Sequence, residues 1–372
     1  MARVTLDKVN KIYPSRRGPV HAVQDLDLAI EDGEFVSILG PSGCGKTSTL
    51  RMIVGLETIT TGEIAFDGKP VNDLTPEARN VAMAFETYAL YPSFTVEGNL
   101  RFPLEVKGVD RAEQNRRIAE VARLLRIEPI LGSHPRALSG GQQQRVSLGR
   151  ALIRDPAAFI LDEVMSHLDA HLKFQMLFEL KRIHNSIGKT IVYVTHDQME
   201  ALALSDRVAV MSNAVLQQFG TRDALYDRPA NMFVAGFIGE PPTNFLTATV
   251  VDENGALAVR LDGTALHLVP DAERSAAIRN QGLRQVTVGL RPQNLTVPGA
   301  ANDSGDVETL TATTELNEYL GEHSILTLTA GSSQFRAMVP PTVTAKPGEP
   351  VELHYRRKDV MLFHPETEVF VA

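Results

Sequence analysis

The feature that most constrains the fold is a glycine-rich segment between an apolar run and a helix-compatible run. Residues 40–47 read GPSGCGKT, which fits G-x-x-x-x-G-K-[ST]; they follow FVSIL at 35–39 and precede STLRMIVGL. A strand, a glycine loop and a helix in this order are typical of phosphate-binding α/β domains. A chance glycine-rich turn is the alternative, but the flanking patterns favour a phosphate site.

The residues of this segment, the phosphate loop, have distinct expected roles. Glycines let successive N–H groups point at a phosphate, and the following helix N-terminus adds positive dipole. We expect Lys46 to reach the β and γ oxygens of a nucleotide and Thr47 to ligate Mg²⁺. The predicted nucleotide-binding residues here are Gly40, Ser42, Gly43, Cys44, Gly45, Lys46, Thr47 and Ser48.

A second apolar run ends in two acids. Residues 158–163 read AFILDE, and a strand of this kind delivers both carboxylates to one edge of a sheet. In phosphate-loop enzymes the first acid, here Asp162, holds Mg²⁺ through water, and the second, here Glu163, orients or deprotonates the attacking water. Taken alone, this pattern also occurs where a buried strand simply ends in solvent. Together with the phosphate loop it predicts nucleotide hydrolysis.

The sequence LSGGQQQR at 138–145 resembles the LSGGQ signature of ABC ATPases. In that family two ATPase subunits pack head to tail, and the signature of one caps the γ-phosphate bound by the other. The resemblance therefore implies nucleotide contacts by Ser139, Gly140, Gly141 and Gln142. Exposed N–H groups at a helix start and the Ser139 hydroxyl suit a phosphate. A helix cap without a further role is the alternative.

Other residues are assigned by the same resemblance. Tyr13 resembles the aromatic residue that stacks on adenine, although a buried hairpin tyrosine is the alternative. His196, in YVTHDQMEA, resembles the switch histidine that contacts the γ-phosphate. The segment SHLD at 166–169 resembles the D-loop of the dimer interface, which makes Asp169 a candidate nucleotide contact. His167 stands where asparagine is usual and receives no role.

The resemblance extends from about residue 3 to residue 372 and is closest to the ATPases of carbohydrate, polyol and glycerol-phosphate importers, the maltose-importer type. TYALYPSFTV at 87–96 resembles the segment that receives a coupling helix from a membrane subunit. FVAGFIGEPPTNFL at 233–246 resembles the domain junction of that branch, and VGLRPQNLTV at 288–297 a motif of its OB-type regulatory domain. These motifs indicate this branch of importer ATPases, but they do not identify the transported solute.

Two positions depart from the family pattern. Glu86 stands where a glutamine normally touches Mg²⁺ and the attacking water, so it is a candidate catalytic and metal-binding residue. If ionised, it adds repulsion of about 2 to 3 kcal/mol at about 6 Å from another negative charge. If Glu86 is protonated, it would donate a hydrogen bond as the glutamine amide does. If its side chain points out of the site, it would have no effect on turnover. Val164 stands where proline is usual, so φ of residue 164 is not fixed by a ring. We expect this freedom to make the orientation of the Glu163 side chain less well defined.

The patterns predict an α/β domain over residues 1–239 and a C-terminal all-β barrel over 240–372. The resemblance implies that the first is a P-loop ABC ATPase domain and the second an OB-type (TOBE-like) domain. Within the first domain, apolar residues at helical spacing in 109–126 predict a helical subdomain at about 87–155. Apolar runs at 158–161 and 190–194 predict strands covered on both faces. After residue 240, short β-type runs alternate with turn residues.

Charge and cysteine content limit the partners and the location. A net charge of -8 without a basic tract argues against nucleic acid, and a single cysteine suits a reducing compartment. The start of the chain resembles no secretion signal, and no apolar run approaches the roughly 18 residues of a membrane span. We therefore expect a peripheral protein on the cytoplasmic face of the inner membrane, attached through partners.

The combined prediction is an ATPase subunit that binds ATP and Mg²⁺ and powers an importer of a sugar, polyol or glycerol-phosphate-like solute. Its expected partners are a second ATPase, identical or related, two transmembrane permease subunits and an extracytoplasmic solute-binding protein. One alternative is a soluble, non-transport ABC ATPase. The other is a degenerate regulatory partner of an active ATPase, which Glu86 and Val164 keep open.

Overall fold

The computed structural model describes residues 2–85, 87–166, 168–253, 256–261, 267–268, 270, 272–299 and 307–371. The chain divides into two compact units, Met1–Arg222 and Asp223–Ala372.

The strands of the first unit are β1 Val4–Tyr13, β2 Val20–Ile30, β3 Phe35–Leu39, β4 Thr61–Phe66, β5 Lys69–Pro70, β6 Val81–Ala84, β7 Ala158–Asp162, β8 Thr190–Thr195, β9 Arg207–Ser212 and β10 Val215–Gly220. Its helices are α1 Lys46–Val54, α2 Val96–Val106, α3 Arg111–Leu125, α4 Gly140–Leu152, α5 Ala170–Ile187 and α6 Gln198–Leu204.

A six-stranded sheet in the order β10-β9-β3-β8-β7-β6 positions the candidate site. Strands β6, β7, β8, β3 and β9 run parallel, and β10 is antiparallel to β9. The residues of β3 and β8 are all buried, as their continuous apolar sequences predict for strands covered on both faces. Because parallel strands end at the same edge, the segments after β3, β7 and β8 emerge side by side.

The second sheet of this unit is antiparallel, in the order β2-β1-β4-β5. Its apolar face and one face of α1 share a core that includes Leu6, Ile30, Leu50 and Ile53. Helices α2, α3 and α4 lie between β6 and β7 in the chain, within the range predicted for a helical subdomain. Helix α3 begins where Asp110 accepts hydrogen bonds from two first-turn N–H groups.

The second unit is rich in strands, as predicted, and it also contains a helix at Ala272–Gln281, which the all-β prediction did not include. Its elements are α7 Arg222–Asp227, α8 Met232–Phe237, β11 Asn244–Glu253, β12 Ala256–Leu261, β13 His267–Leu268, α9 Ala272–Gln281, β14 Gln285–Leu290, β15 Val307–Tyr319, β16 Ser324–Ala330, β17 Ser333–Val339, β18 Pro350–Arg356 and β19 Met361–Phe363. Antiparallel sheets in the orders β13-β12-β11-β14-β19 and β17-β16-β15-β18 contribute side chains to one apolar core. The predicted barrel is thus observed as two sheets around a shared core.

The units divide between residues 222 and 223, whereas the sequence predicted a domain boundary at 239 and 240. Residues before 240 contact the strands of the second unit: the Tyr226 carbonyl accepts from Arg291, and α8 packs on β19. Ala235 of α8 shares a small apolar cluster with Met361 and Phe363 of β19. Composition does not reveal such a contact, because it joins segments far apart in sequence.

In the part of the chain that the structure describes, no helix combines the length and the apolar character needed to cross a bilayer.

Candidate active site

The phosphate loop leaves the buried end of β3 and turns into α1. Gly45 precedes α1 with φ of 107°, a conformation that favours glycine. A Cβ at Gly45 would lie 2.2 Å from the carbonyl oxygen of Ala22, and one at Gly40 would lie 2.2 Å from that of Met211. Both positions therefore require glycine. Burial raises the pKa of the Cys44 thiol, which packs as a small apolar side chain in the core.

Lys46 lies inside the curve of this loop. Its side chain is buried, with the residue 5% exposed, and its ammonium donates to the carbonyls of Gly40 and Pro41 at 2.8 and 3.0 Å. Thr47 next to it is exposed. A buried ammonium with carbonyl partners from a single loop can exchange them for the oxygens of an incoming anion.

The acids after β7 lie next to the segment after β8. In the sheet register, Asp162 pairs with Val194, and the backbone N–H of Glu163 donates to the Val194 carbonyl at 2.9 Å. The carboxylate oxygen Oε2 of Glu163 lies 3.1 Å from Nδ1 of His196. Asp162 is partly exposed at the strand end. The sheet therefore brings two predicted site residues, Glu163 and His196, into direct contact.

The backbone around Glu163 is tightly held. Its φ is 45°, in the left-handed region where non-glycine residues are uncommon, a strain often found at functional positions. Its carbonyl accepts from the N–H and hydroxyl of Ser166 at 3.2 and 2.9 Å. Val164, expected to loosen this turn, is 3% exposed and belongs to the apolar core. Apolar anchoring and hydrogen bonds thus fix the turn without a proline.

The predicted signature begins helix α4. Ser139 is the N-cap: its hydroxyl accepts from the N–H of Gln142 at 3.4 Å, and the Gln142 side chain accepts from the Ser139 N–H at 2.9 Å. Ser139 and Gly140 are exposed. Gly141 is buried, and a Cβ there would lie 2.8 Å from the Leu172 side chain. The helix start is therefore exposed on one side and packed against α5 on the other.

Asp169 and Tyr13 have structural contacts of their own. Asp169 is the N-cap of α5 and accepts from the N–H of Leu172 at 2.9 Å. Tyr13 ends β1, pairs with Val20 across the predicted hairpin and is half-buried, with the Lys11 ammonium 4.8 Å from its ring centre. Its ring is not fully covered, which leaves the stacking interpretation open.

The segment at 87–96 lies against α4. Arg150 donates to the carbonyl of Ala89 at 2.6 Å, and Ser147 donates to that of Tyr88 at 3.0 Å. A groove of about 320 Å³ beside this segment is lined in part by Phe85, Tyr91 and Phe102. Glu86 and His167 lie outside the described residues.

Sequence reasoning missed an ion-pair cluster beside His196. Lys173 of α5 contacts Asp197 and Glu200 at 2.8 and 2.9 Å. The spacing of Asp197 and Glu200 signals a helix start, and Asp197 does cap α6 by accepting from the N–H of Glu200. No local pattern links that start to Lys173, because the contact joins two different helices.

Comparisons with known proteins agree with the family that these motifs indicate. The ABC transporter family matches residues 23–166, and the TOBE domain family matches residues 288–363. The chain is 43% identical to the sn-glycerol-3-phosphate import ATP-binding protein of Ruegeria sp. (strain TM1040), over 100% of both chains. It is 43% identical to the trehalose/maltose import ATP-binding protein of Thermococcus litoralis, over 99% of each. A dimeric structure of the ATP-binding cassette MJ0796 with ADP and phosphate bound is 32% identical, with a TM-score of 0.53, covering 59% of this chain and 98% of that one.

Proposed function

This chain belongs to the family of ABC transporter ATP-binding proteins, and we propose that its phosphate loop, Glu163 and His196 bind and hydrolyse Mg-ATP to power solute import. The observation that carries the proposal is the 3.1 Å contact of Glu163 with His196, at the sheet edge where the phosphate loop also emerges.

The residues at this edge fit a magnesium–nucleotide complex. Mg²⁺ at such sites takes one or two protein ligands, with phosphate oxygens and water completing its shell. Thr47 is exposed at the start of α1, and Asp162 is partly exposed at the end of β7, so both side chains can reach such an ion. Thr47 and Asp162 would hold the ion, with Glu86 a third candidate from sequence alone. When bound, Mg²⁺ neutralises charge that develops on the transferred phosphoryl group.

The chemical roles follow from the contacts. Glu163 accepts a proton from the attacking water, since its carboxylate lies at the strand end beside Asp162. His196, whose side chain is 54% exposed, holds Glu163 through Nδ1 and presents its other ring nitrogen to the γ-phosphate. Lys46 exchanges the carbonyls of Gly40 and Pro41 for β- and γ-phosphate oxygens. Tyr13 stacks on the adenine.

A complete site requires a second ATPase, either an identical copy or a related chain. The exposed start of α4, at Ser139 and Gly140, offers N–H groups and a hydroxyl to a phosphate on that partner. Gly141 and Gln142 shape this helix start, and Asp169 approaches the partner nearby. The dimeric MJ0796 structure with ADP and phosphate supports this arrangement.

The importer partners are two permease subunits and an extracytoplasmic solute-binding protein. The groove beside Phe85, Tyr91 and Phe102 would receive a coupling helix of a permease, which holds the chain at the cytoplasmic face of the membrane. The full-length relatives, named for import of sn-glycerol 3-phosphate and of trehalose and maltose, support a sugar, polyol or glycerol-phosphate-like solute.

Substitution of the proposed base tests this mechanism. In Glu163→Gln, the ATP contacts remain but the water loses its base, so ATPase activity should fall by about 10²-fold or more. The variant should accumulate as a nucleotide-bound dimer in size-exclusion chromatography with Mg-ATP and as a monomer without it. A Glu163→Gln variant that hydrolyses ATP at the parental rate contradicts the base assignment. A parent without ATPase activity would favour a degenerate regulatory partner instead.

A further inference from the structure

Lys173 joins the helix that follows the D-loop to the helix that follows His196. Its ammonium lies 2.8 Å from Oδ2 of Asp197 and 2.9 Å from Oε1 of Glu200, and its side chain is about one quarter exposed. Asp197 is the N-cap of α6, and Glu200 lies in its first turn. One lysine of α5 therefore holds both carboxylates at the start of α6.

These carboxylates fix the backbone on both sides of His196. The second oxygen of Glu200 accepts from the hydroxyls of Tyr193 and Thr195. The Thr195 hydroxyl in turn accepts from the N–H of Asp197 at 3.0 Å. The residues immediately before and after His196 thus belong to one hydrogen-bonded cluster.

The imidazole of His196 depends on this cluster for its position. The His196 side chain is 54% exposed, and its Nδ1 lies 3.1 Å from Oε2 of Glu163. The backbone between Thr195 and Asp197 therefore sets where the ring begins, and the ring can keep its contact with Glu163 only while that backbone is held.

The other end of the connection is the D-loop. Asp169 caps α5, and its carbonyl accepts from the backbone N–H of Lys173 at 2.8 Å. Lys173 therefore lies in the first turn after the D-loop residue. A shift of Asp169 on contact with a second subunit would carry Lys173 with it.

The ion pair is maintained in its charged form. Partial burial opposes protonation of Lys173, but its hydrogen bonds to Asp197 and Glu200 outweigh burial and raise its pKa. Burial likewise opposes ionisation of Asp197, while the hydrogen bond from Lys173 contributes to a lowered pKa. Glu200 is 2% exposed, so loss of Lys173 would leave a buried carboxylate without its counter-charge.

We propose that Lys173 is a positioning residue for His196, which couples the D-loop helix to the switch histidine through Asp197 and Glu200. This inference rests on the proposed ATPase function. Lys173 touches neither nucleotide nor metal in this proposal. Its loss should therefore lower turnover and leave ATP binding intact.

The test compares two lysines of α5. Lys173→Met should lower kcat at least tenfold, because a misplacement of about 1 Å at a reacting centre can cost about 10²-fold. KM for ATP should stay within about twofold, since His196 acts in turnover rather than in initial binding. Lys173→Arg, which retains the charge, should recover most of kcat.

Lys181→Met is the matched control. Lys181 also bridges α5 to the far end of α6, where its ammonium donates to the Leu204 carbonyl at 2.6 Å and lies 3.4 Å from Asp206. This variant should lose some thermal stability, less than Lys173→Met because Asp206 is exposed, and its kcat should not fall. An equal fall of kcat in both variants would overturn the proposal, because it would show a general effect of loosening α5 from α6.

Further variants separate this proposal from the ATPase function. If Lys173→Met does not fold, Asp197→Asn keeps the α6 cap and removes the charge, and its kcat should still fall severalfold. If the folded variant, Lys173→Met or Asp197→Asn, has the parental kcat while Glu163→Gln is inactive, then Lys173 has no positioning role and the ATPase mechanism is unaffected. Parental activity in Glu163→Gln overturns the proposed mechanism itself.

Discussion

Each unit of this molecule contains a buried cation that binds carbonyl oxygens instead of a carboxylate, and the two cations are held very differently. Lys46 of the first unit donates to the carbonyls of Gly40 and Pro41, both from the phosphate loop. Arg291 of the second unit donates to carbonyls of Tyr226, Ala235 and Ile238 and to the Thr243 hydroxyl, and stacks 3.8 Å from the Tyr226 ring centre. Within the described residues, neither cation has a carboxylate within ion-pair distance.

The difference distinguishes Lys46, the proposed phosphate-binding cation, from Arg291, a structural one. Lys46 has few partners, all from a single loop, so an anion can replace them without disturbing the fold. The partners of Arg291 come from several segments, and removal of the guanidinium takes a buried donor from each of them, although the Ala235 carbonyl keeps the hydrogen bond from the Thr243 hydroxyl. The number and origin of the partners, rather than burial alone, thus distinguish the two roles.

The largest expected effect is at Lys46. In Lys46→Met, maximal ATPase activity should fall on the order of 10²- to 10³-fold, because a charged donor to the transferred phosphoryl group is lost. The melting temperature should change by only a few degrees. Lys189→Met, which removes an ammonium 3.1 Å from the exposed Asp155, is the control and should retain activity. A Lys46→Met variant that hydrolyses ATP at the parental rate but melts far below the parent would reverse the comparison.

The opposite result is expected at Arg291. Arg291→Met should lower the free energy of unfolding of the second unit by about 3 kcal/mol, because several buried acceptors lose their donor. ATPase activity per folded molecule should stay at the parental level. Calorimetry and activity assays at a temperature where the variant is folded measure both quantities.

The control for Arg291 is a solvent-exposed arginine of the same unit. Arg260 pairs with Glu253 at 2.9 Å, with side chains 57% and 42% exposed. Arg260→Met should cost at most about 0.5 kcal/mol, because such pairs contribute little. Equal losses in the two variants would mean that Arg291 is no more structural than a surface charge.

The site edge was predictable because its signals are local. Apolar runs at 158–161 and 190–194 predicted strands covered on both faces, and the run at 35–39 predicted the strand before the phosphate loop. The family resemblance then assigned the phosphate loop, Glu163 and His196 to one site. The direct contact between Glu163 and His196 additionally depends on strand order, with β7 and β8 adjacent.

The remaining features depend on contacts between distant segments. Arg291 occurs in a recognisable motif, but its partners at 226–243 are known only once the chain has folded. The ion pairs of Lys173 require that α5 lie beside α6. The packing of α8 against β19, which joins residues before 240 to the second unit, is likewise not encoded by composition.

The smallest expected effect concerns a cation that does have carboxylate partners, Lys173, and it depends on pH. The hydrogen bond from Lys173 contributes to lowering the pKa of Asp197 against the effect of partial burial. A lowered pKa in the folded state stabilises the fold above the unfolded-state pKa of about 3.9, and this stabilisation is lost as pH falls through the folded-state pKa. At pH 7, Asp197→Asn should cost about 1 kcal/mol in the free energy of unfolding, because the pair is partly exposed. The difference in the free energy of unfolding between Asp197→Asn and the parent should shrink as pH falls below about 4, where Asp197 becomes protonated first in the unfolded and then in the folded state.

The differences in the free energy of unfolding caused by Lys46→Met and Arg291→Met should persist over the same pH range, since carbonyl partners do not titrate there. Urea unfolding between pH 7 and pH 3 measures all three, and a pH-independent difference for Asp197→Asn would show that the charge of Asp197 contributes nothing to stability.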